Sequence, residues 1–198
     1  MKYFLLFTLF LFPLTSNATE TTSVTLSLSP DFANEICPAP VWKNVTVIWK
    51  GVEDKRPALE VGNQEKKGEI ETTLLSKPAL EKVFDSALQK LFKTCGMKLD
   101  GNPKTSSTLK AEINEFYVGS EKKLLTGKTK AASKLTFIME LTKDGVTTNS
   151  KKTVTFNMES KKVRSKDIQQ LKETLDTLLY EILSQILKSG IGFENNSL

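Results

Sequence analysis

Hydrophobic and polar positions change period several times along the chain, and each change predicts an element. Between residues 80 and 95, Leu80, Val83, Phe84, Ala87, Leu88, Leu91, Phe92 and Cys95 recur three or four positions apart, the spacing of one face of an α-helix. Pro78 suits the first turn of that helix and Gly96 its C-terminal cap, while Lys90 and Lys93 lie where the helix dipole favours cations. A second stripe, Ile168, Leu171, Leu175, Leu178, Ile182 and Ile186, predicts a long C-terminal helix with Ser165 as N-cap and Asp167 in its first turn. Leu179, Leu183 and Leu187 widen this stripe beyond what packing on one sheet face needs, so they are candidate contacts for a partner.

Elsewhere the period drops to two. Val45, Val47 and Trp49 share one face of a predicted strand, and three further strands alternate at Leu109/Ala111/Ile113, Leu135/Phe137/Met139/Leu141 and Val154/Phe156/Met158. The polar neighbours between these positions describe a sheet with one wet face. Asp144-Gly145 stands between the last two runs and predicts a tight hairpin turn. Residues 53–67 are polar, with Pro57 and Gly62, and predict a long functional loop. Residues 19–40, rich in Thr, Ser and Pro, predict a mobile N-terminal segment with room for an edge strand. The expected fold is α+β: an antiparallel sheet of about four strands in the order β-α-β-β-β-α, both helices packed on one face. It forms a single domain over residues 41–190, with a disordered tail at 191–198.

The first 18 residues carry Lys2, an apolar run from Tyr3 to Leu14, and small residues at Ser16 and Ala18. This is the pattern of a secretory signal peptide, and the run is short of the ~20 apolar residues of a spanning helix. Export makes a disulfide the expected fate of Cys37 and Cys95. Closing their 58-residue separation would stabilise the fold by about 4 kcal/mol in the chain-entropy picture.

The chain of 198 residues, 39% hydrophobic and 26% charged, has the composition of a globular protein. It contains no histidine and only two cysteines, which removes Ser-His-Asp and Cys-His catalysis, His-liganded zinc, four-cysteine zinc sites and iron–sulfur clusters. No phosphate loop, nucleophile elbow or Ca²⁺ loop is present, so no catalytic residue, cofactor or metal site is expected. The net charge of +5 comes mostly from scattered lysines, with arginine only at Arg56 and Arg164. That argues against a nucleic-acid partner and leaves weak peripheral association with an anionic membrane surface as the expectation. Asp54 and Arg56, two apart just before Pro57, point the same way in an extended chain and can pair at the end of the sheet. With Pro57 and the three leucines they make up the candidate partner surface.

In VTVIWKGVEDKRP, LSKPALEKVFDSALQKLFKTCGMKL, STLKAEINEFYV and LKETLDTLLYEILSQIL, over residues 41–189, the chain resembles the YajG-like family of small bacterial envelope lipoproteins. The resemblance implies an α+β domain facing the periplasm, with no catalytic residues to carry over. The family's acylated cysteine is missing at the end of the leader, so a soluble periplasmic form is expected. The function expected is a non-enzymatic binding or assembly protein whose partner is an envelope protein or envelope component. The alternative is an accessory subunit of a lipid or lipopolysaccharide transport system, which would show a large apolar groove between helix and sheet.

Overall fold

The computed structural model describes residues 19–66, 69–102, 107–122, 127–143, 146–163, 168–189 and 191. Among them run, in order, β1 (Glu20–Val24), α1 (Phe32–Ile36), β2 (Val47–Asp54), β3 (Glu60–Lys66), β4 (Glu69–Ser76), α2 (Leu80–Thr94), β5 (Ser107–Lys122), β6 (Gly127–Lys143), β7 (Val146–Val163) and α3 (Ile168–Ser189). The chain is thus a mixed α+β domain. The leader 1–18, the Asp144-Gly145 turn, the helix start at Ser165 and Asp167, and the tail 192–198 lie outside the described residues.

The expected sheet of about four antiparallel strands is corrected to a seven-stranded mixed sheet in the order β1-β4-β3-β5-β6-β7, with β2 also paired to β5. The central strand β5 explains why. Its far edge pairs antiparallel with β6 along nearly its whole length, and β6 pairs antiparallel with β7. Its near edge is shared by two shorter strands, both parallel to it: β2 along Ser107–Ile113 and β3 along Val118–Lys122. Parallel pairing of β2 with β5 follows from the α2 crossover between them, which alternation cannot report. Residues 53–67, expected as one loop, end β2 and then form β3, which turns back antiparallel into β4. At Gly62 a Cβ would lie 2.5 Å from the Val118 carbonyl oxygen, so only glycine allows β3 this close to β5.

One face of the sheet is dry. Leu109, Ala111, Ile113, Phe116 and Val118 of β5 and Ala131, Leu135, Phe137 and Met139 of β6 are buried on it. The bulge between Ile113 and Glu115 keeps Ile113 and Phe116 on the same side. Helix α2 covers this face through edge-to-face contacts of Phe84 with Phe116 (5.3 Å) and Phe92 with Phe137 (6.3 Å), with Trp42 and Trp49 closing on Phe92 at 5.6 and 5.5 Å. The apolar stripe of α3 joins the same core, while Lys130, Lys134, Thr153, Thr155 and Asn157 on the other face stay exposed. The helices therefore lie on one face.

Residues 19–40, expected to be mobile, are instead docked. β1 pairs parallel with β4, and Val24, Leu26, Phe32, Ala33 and Ile36 are buried, with α1 packed against both α2 and α3. Asp176 of α3 accepts from the Ser27 amide (2.7 Å) and hydroxyl (3.0 Å). Cys37 at the end of α1 is joined to Cys95 at the end of α2, with Cα atoms 5.7 Å apart. Gly96 (φ +89°) then closes α2, its amide donating to Lys93 and that of Met97 to Phe92.

The wide stripe of α3 is core. Leu179 and Leu183 are fully buried and Leu187 packs partly buried against the same cluster. Leu183→Lys is therefore expected to destabilise the protein by about 3–5 kcal/mol, by losing apolar burial and placing an unpaired ammonium in the core. Urea denaturation checks this, and an unchanged midpoint would contradict the packing.

Candidate functional site

Between β2 and β3 the near edge of β5 is left without a strand, and the residues 54–60 fill it. Lys55 makes the last strand-like bond, its amide donating to the Ile113 carbonyl at 2.9 Å. The Arg56 side chain then takes over, Nη1 donating to the Phe116 carbonyl (3.1 Å) and to the Glu60 carbonyl (2.7 Å). Asp54 holds it in place: Nη2 donates to Oδ2 at 2.7 Å, Nε to Oδ1 at 2.9 Å, and the Arg56 amide to Oδ1 at 3.1 Å. The two side chains are only 6% and 11% exposed. Asp54 and Arg56 do come together as their spacing predicts, and the guanidinium is spent on backbone carbonyls. Pro57 beside them is exposed. Glu53 and Lys55 form a separate ion pair in water, which lowers the Glu53 pKa and raises that of Lys55.

The open face of the sheet carries a hollow of about 770 Å³ across β3, β5, β6 and β7. Its floor is low because the register sets two small residues, Gly119 and Ala132, side by side with Tyr117. A Cβ on Gly119 would lie 3.2 Å from Tyr117 Cε1, so the glycine makes room for the ring. Asn63 and Glu65 of β3, Glu115 and Tyr117 of β5, Lys130 of β6 and Asn157 of β7 ring the floor with polar groups. Burial, then the carboxylates of Glu65 and Glu60, push the Tyr117 phenol above its ordinary range.

Sequence reasoning missed this hollow. Its signal was present in the polar positions of the three long strands, but β3 carries no alternation to reveal that Asn63 and Glu65 join them. The expected surface residues are divided between two places instead: Asp54, Arg56 and Pro57 at the strand junction, and Leu179, Leu183 and Leu187 beneath α3. Among the described residues no group of Asp, Glu or Cys side chains is gathered to hold a metal ion, and no helix is long and apolar enough to cross a membrane.

Arg56→Lys cannot span the two carbonyls and the carboxylate together. It is expected to cost about 1–3 kcal/mol of unfolding free energy, the usual loss when a buried acceptor is left without its donor; a denaturation midpoint within error of wild type would refute that role. A raised Tyr117 pKa also has a sign. Above about pH 10 the unfolded phenol loses its proton before the folded one, so this group's contribution to stability falls as pH rises through that window. Absorbance titration of phenolate should show a late phase that Tyr117→Phe removes, and an unchanged titration would contradict it.

Comparison with other proteins places this geometry in a family. The family model described as uncharacterized lipoprotein, Lipoprotein_16, matches residues 40–189. No curated protein matches the chain in sequence. Among solved structures, the crystal structure of an uncharacterized protein is similar with a TM-score of 0.50 at 12% identity, over 87% of this chain and 99% of its own. Protein XCC0632 from Xanthomonas campestris, of the family DUF330, is similar with a TM-score of 0.54 at 12% identity, over 84% of this chain and 92% of its own. These two likenesses are likenesses of fold. The family match begins before β2 and ends with the last turn of α3, taking in both the strand junction and the open face, and the chain belongs to this family of uncharacterized lipoproteins.

Proposed function

We propose that the protein is a non-enzymatic component of the cell envelope, exported to the periplasm and akin to the YajG-like group, that binds or assembles a partner through the hollow of its open sheet face. The observation that carries this is the contrast between the two faces. The helix-covered face is filled by packed side chains, whereas the open face presents a shaped surface of acceptors, amides, a phenol and one ammonium. Such a surface suits a polar partner, a segment of an envelope protein or a hydrophilic envelope component. Membership of a lipoprotein family and the secretory pattern of the first 18 residues support the envelope location.

The alternative, an accessory subunit of a lipid or lipopolysaccharide transport system, calls for a large apolar groove between helix and sheet, and the position of the hollow on the open face, ringed by Asn63, Glu65, Tyr117 and Lys130, favours the first reading. Ala132→Arg fills the floor of the hollow from the open face without touching the core. In-cell crosslinking of the exported protein, followed by recovery from an envelope fraction, should yield a partner with wild type and lose it with this variant at unchanged melting temperature. Equal recovery by the two would overturn the assignment of the hollow.

A further inference from the structure

Tyr117 leans along the floor of the hollow. A Cβ at Gly119, two residues further along β5 on the same face, would fall 3.2 Å from the ring's Cε1 and 4.0 Å from its hydroxyl oxygen, so the ring extends over the glycine. The same point is 3.5 Å from Oδ1 of Asn63, which sets an amide of β3 at the border of the ring. Ala132, directly opposite on β6, brings only a methyl group beside it. The ring is half-buried and lines the hollow, so part of its surface is open to a ligand. Glu65, Glu115, Lys130 and Asn157 stand around it. Among the described residues, none of these four side chains, nor that of Asn63, is spent on a hydrogen bond or ion pair within the protein. Arg56 at the strand junction, by contrast, is fully engaged.

We infer that the hollow binds a short neutral oligosaccharide, with one sugar ring seated on Tyr117 and its hydroxyls held by Asn63, Glu65, Glu115 and Asn157. This rests on the reading of the hollow as the binding surface and names its ligand class. A sugar ring has a face of C–H groups and a rim of hydroxyls that donate and accept at once. The C–H face packs on the negative face of an aromatic ring, and neighbouring hydroxyls pair with planar amides and carboxylates. Other ligand classes fit less well. A peptide that adds as a strand needs a free sheet edge, whereas β3, β5 and β6 beneath the hollow each have a neighbour on both sides. A phosphate or uronate calls for a cationic clamp, and the described lining sets the single ammonium of Lys130 against the carboxylates of Glu65 and Glu115. An acyl chain calls for an apolar groove, and here the ring is bordered by polar groups. From β3 to β7 the hollow crosses three inter-strand spacings, about 14 Å, which is room for more than one sugar ring in a row.

The test uses the full exported chain with its Cys37–Cys95 bond intact. The probes are maltotetraose and the tetramer of N-acetylglucosamine, with a galacturonic acid tetramer as the anionic control. Calorimetric titration of wild type should show binding of a neutral probe and about tenfold or more weaker binding of the uronic acid. Saturation-transfer NMR should carry magnetisation from the protein to the ring C–H protons of the bound sugar. Tyr117→Ala should lose about tenfold or more in affinity, and Tyr117→Phe, which keeps the ring, should recover most of it. Asn157→Ala, at an exposed position, and Ala132→Arg, which fills the floor from the open face, should each weaken binding at unchanged melting temperature. These two variants decide the matter if Tyr117→Ala does not fold. Failure of wild type to bind either neutral probe at millimolar concentration, equal binding of the uronic acid, or affinity unchanged in Asn157→Ala and Ala132→Arg would each overturn the inference. In-cell crosslinking separates the two conclusions: loss of the partner in Ala132→Arg without sugar binding by wild type removes the sugar and keeps the hollow, whereas equal partner recovery by the two removes the hollow itself.

Discussion

The sheet depends on a side chain standing where a strand is missing. β5 is long enough to pair with one neighbour on its far side, yet on its near side two short strands meet end to end and leave the carbonyl of Phe116 facing a gap. A buried carbonyl without a donor carries the full cost of its desolvation, about 1–3 kcal/mol. Arg56 supplies the donor, and its guanidinium has enough N–H groups to hold the Glu60 carbonyl and the Asp54 carboxylate as well. Lysine carries its three N–H donors on a single nitrogen and cannot spread them over these separated acceptors as the planar guanidinium does. The Asp54-x-Arg56-Pro57 turn is therefore what lets β2 leave the sheet and β3 re-enter it in the same direction.

That arrangement explains which parts of the fold were legible in the sequence. Where a strand has one wet and one dry face, as at Leu109/Ala111/Ile113 or Leu135/Phe137/Met139, alternation reports it, and the stripes of α2 and α3 report helices to within a few residues. β3 reports little, because of its buried residues Val61 alone is a large apolar one: Gly62 is reduced by the closeness of Val118 and Gln64 is polar though buried. Such a strand reads as a loop. Strand direction is equally silent, since alternation is identical in parallel and antiparallel neighbours. The N-terminal segment misled for another reason: its Thr and Ser suggest mobility, but its few apolar residues are buried, Val24 on β1 beside β4 and Phe32 and Ile36 on α1, which packs against α2 and α3.

The excess of leucine on α3 shows why stripe width alone does not mark an interface. α3 has to meet the sheet along one side and α1 with the N-terminal segment along another, so two apolar sectors merge into one broad one. Leu179 and Leu183 belong to that merged sector. The Cys37–Cys95 bond ties the segment to α2 at the other end of α1, so α1 is held from three sides: by helix packing, by the Ser27–Asp176 contacts and by a covalent link. Among the described residues no large apolar side chain of the helices is left exposed.

What remains is the open face, and here small residues matter for opposite reasons on the two sides of the sheet. On the dry side Gly62 is demanded by packing, since any Cβ would collide with backbone. On the wet side Ala132 lies directly opposite Tyr117 and Gly119 two residues along from it, and at Ala132 a long polar side chain would cover the sheet as Lys130 and Lys134 do nearby. Gly119 admits the ring of Tyr117, and Ala132 keeps the floor next to it low. Packing of the core does not ask for either choice. The depression on the open face is thus floored by small residues that the core does not require and rimmed by the Tyr117 phenol.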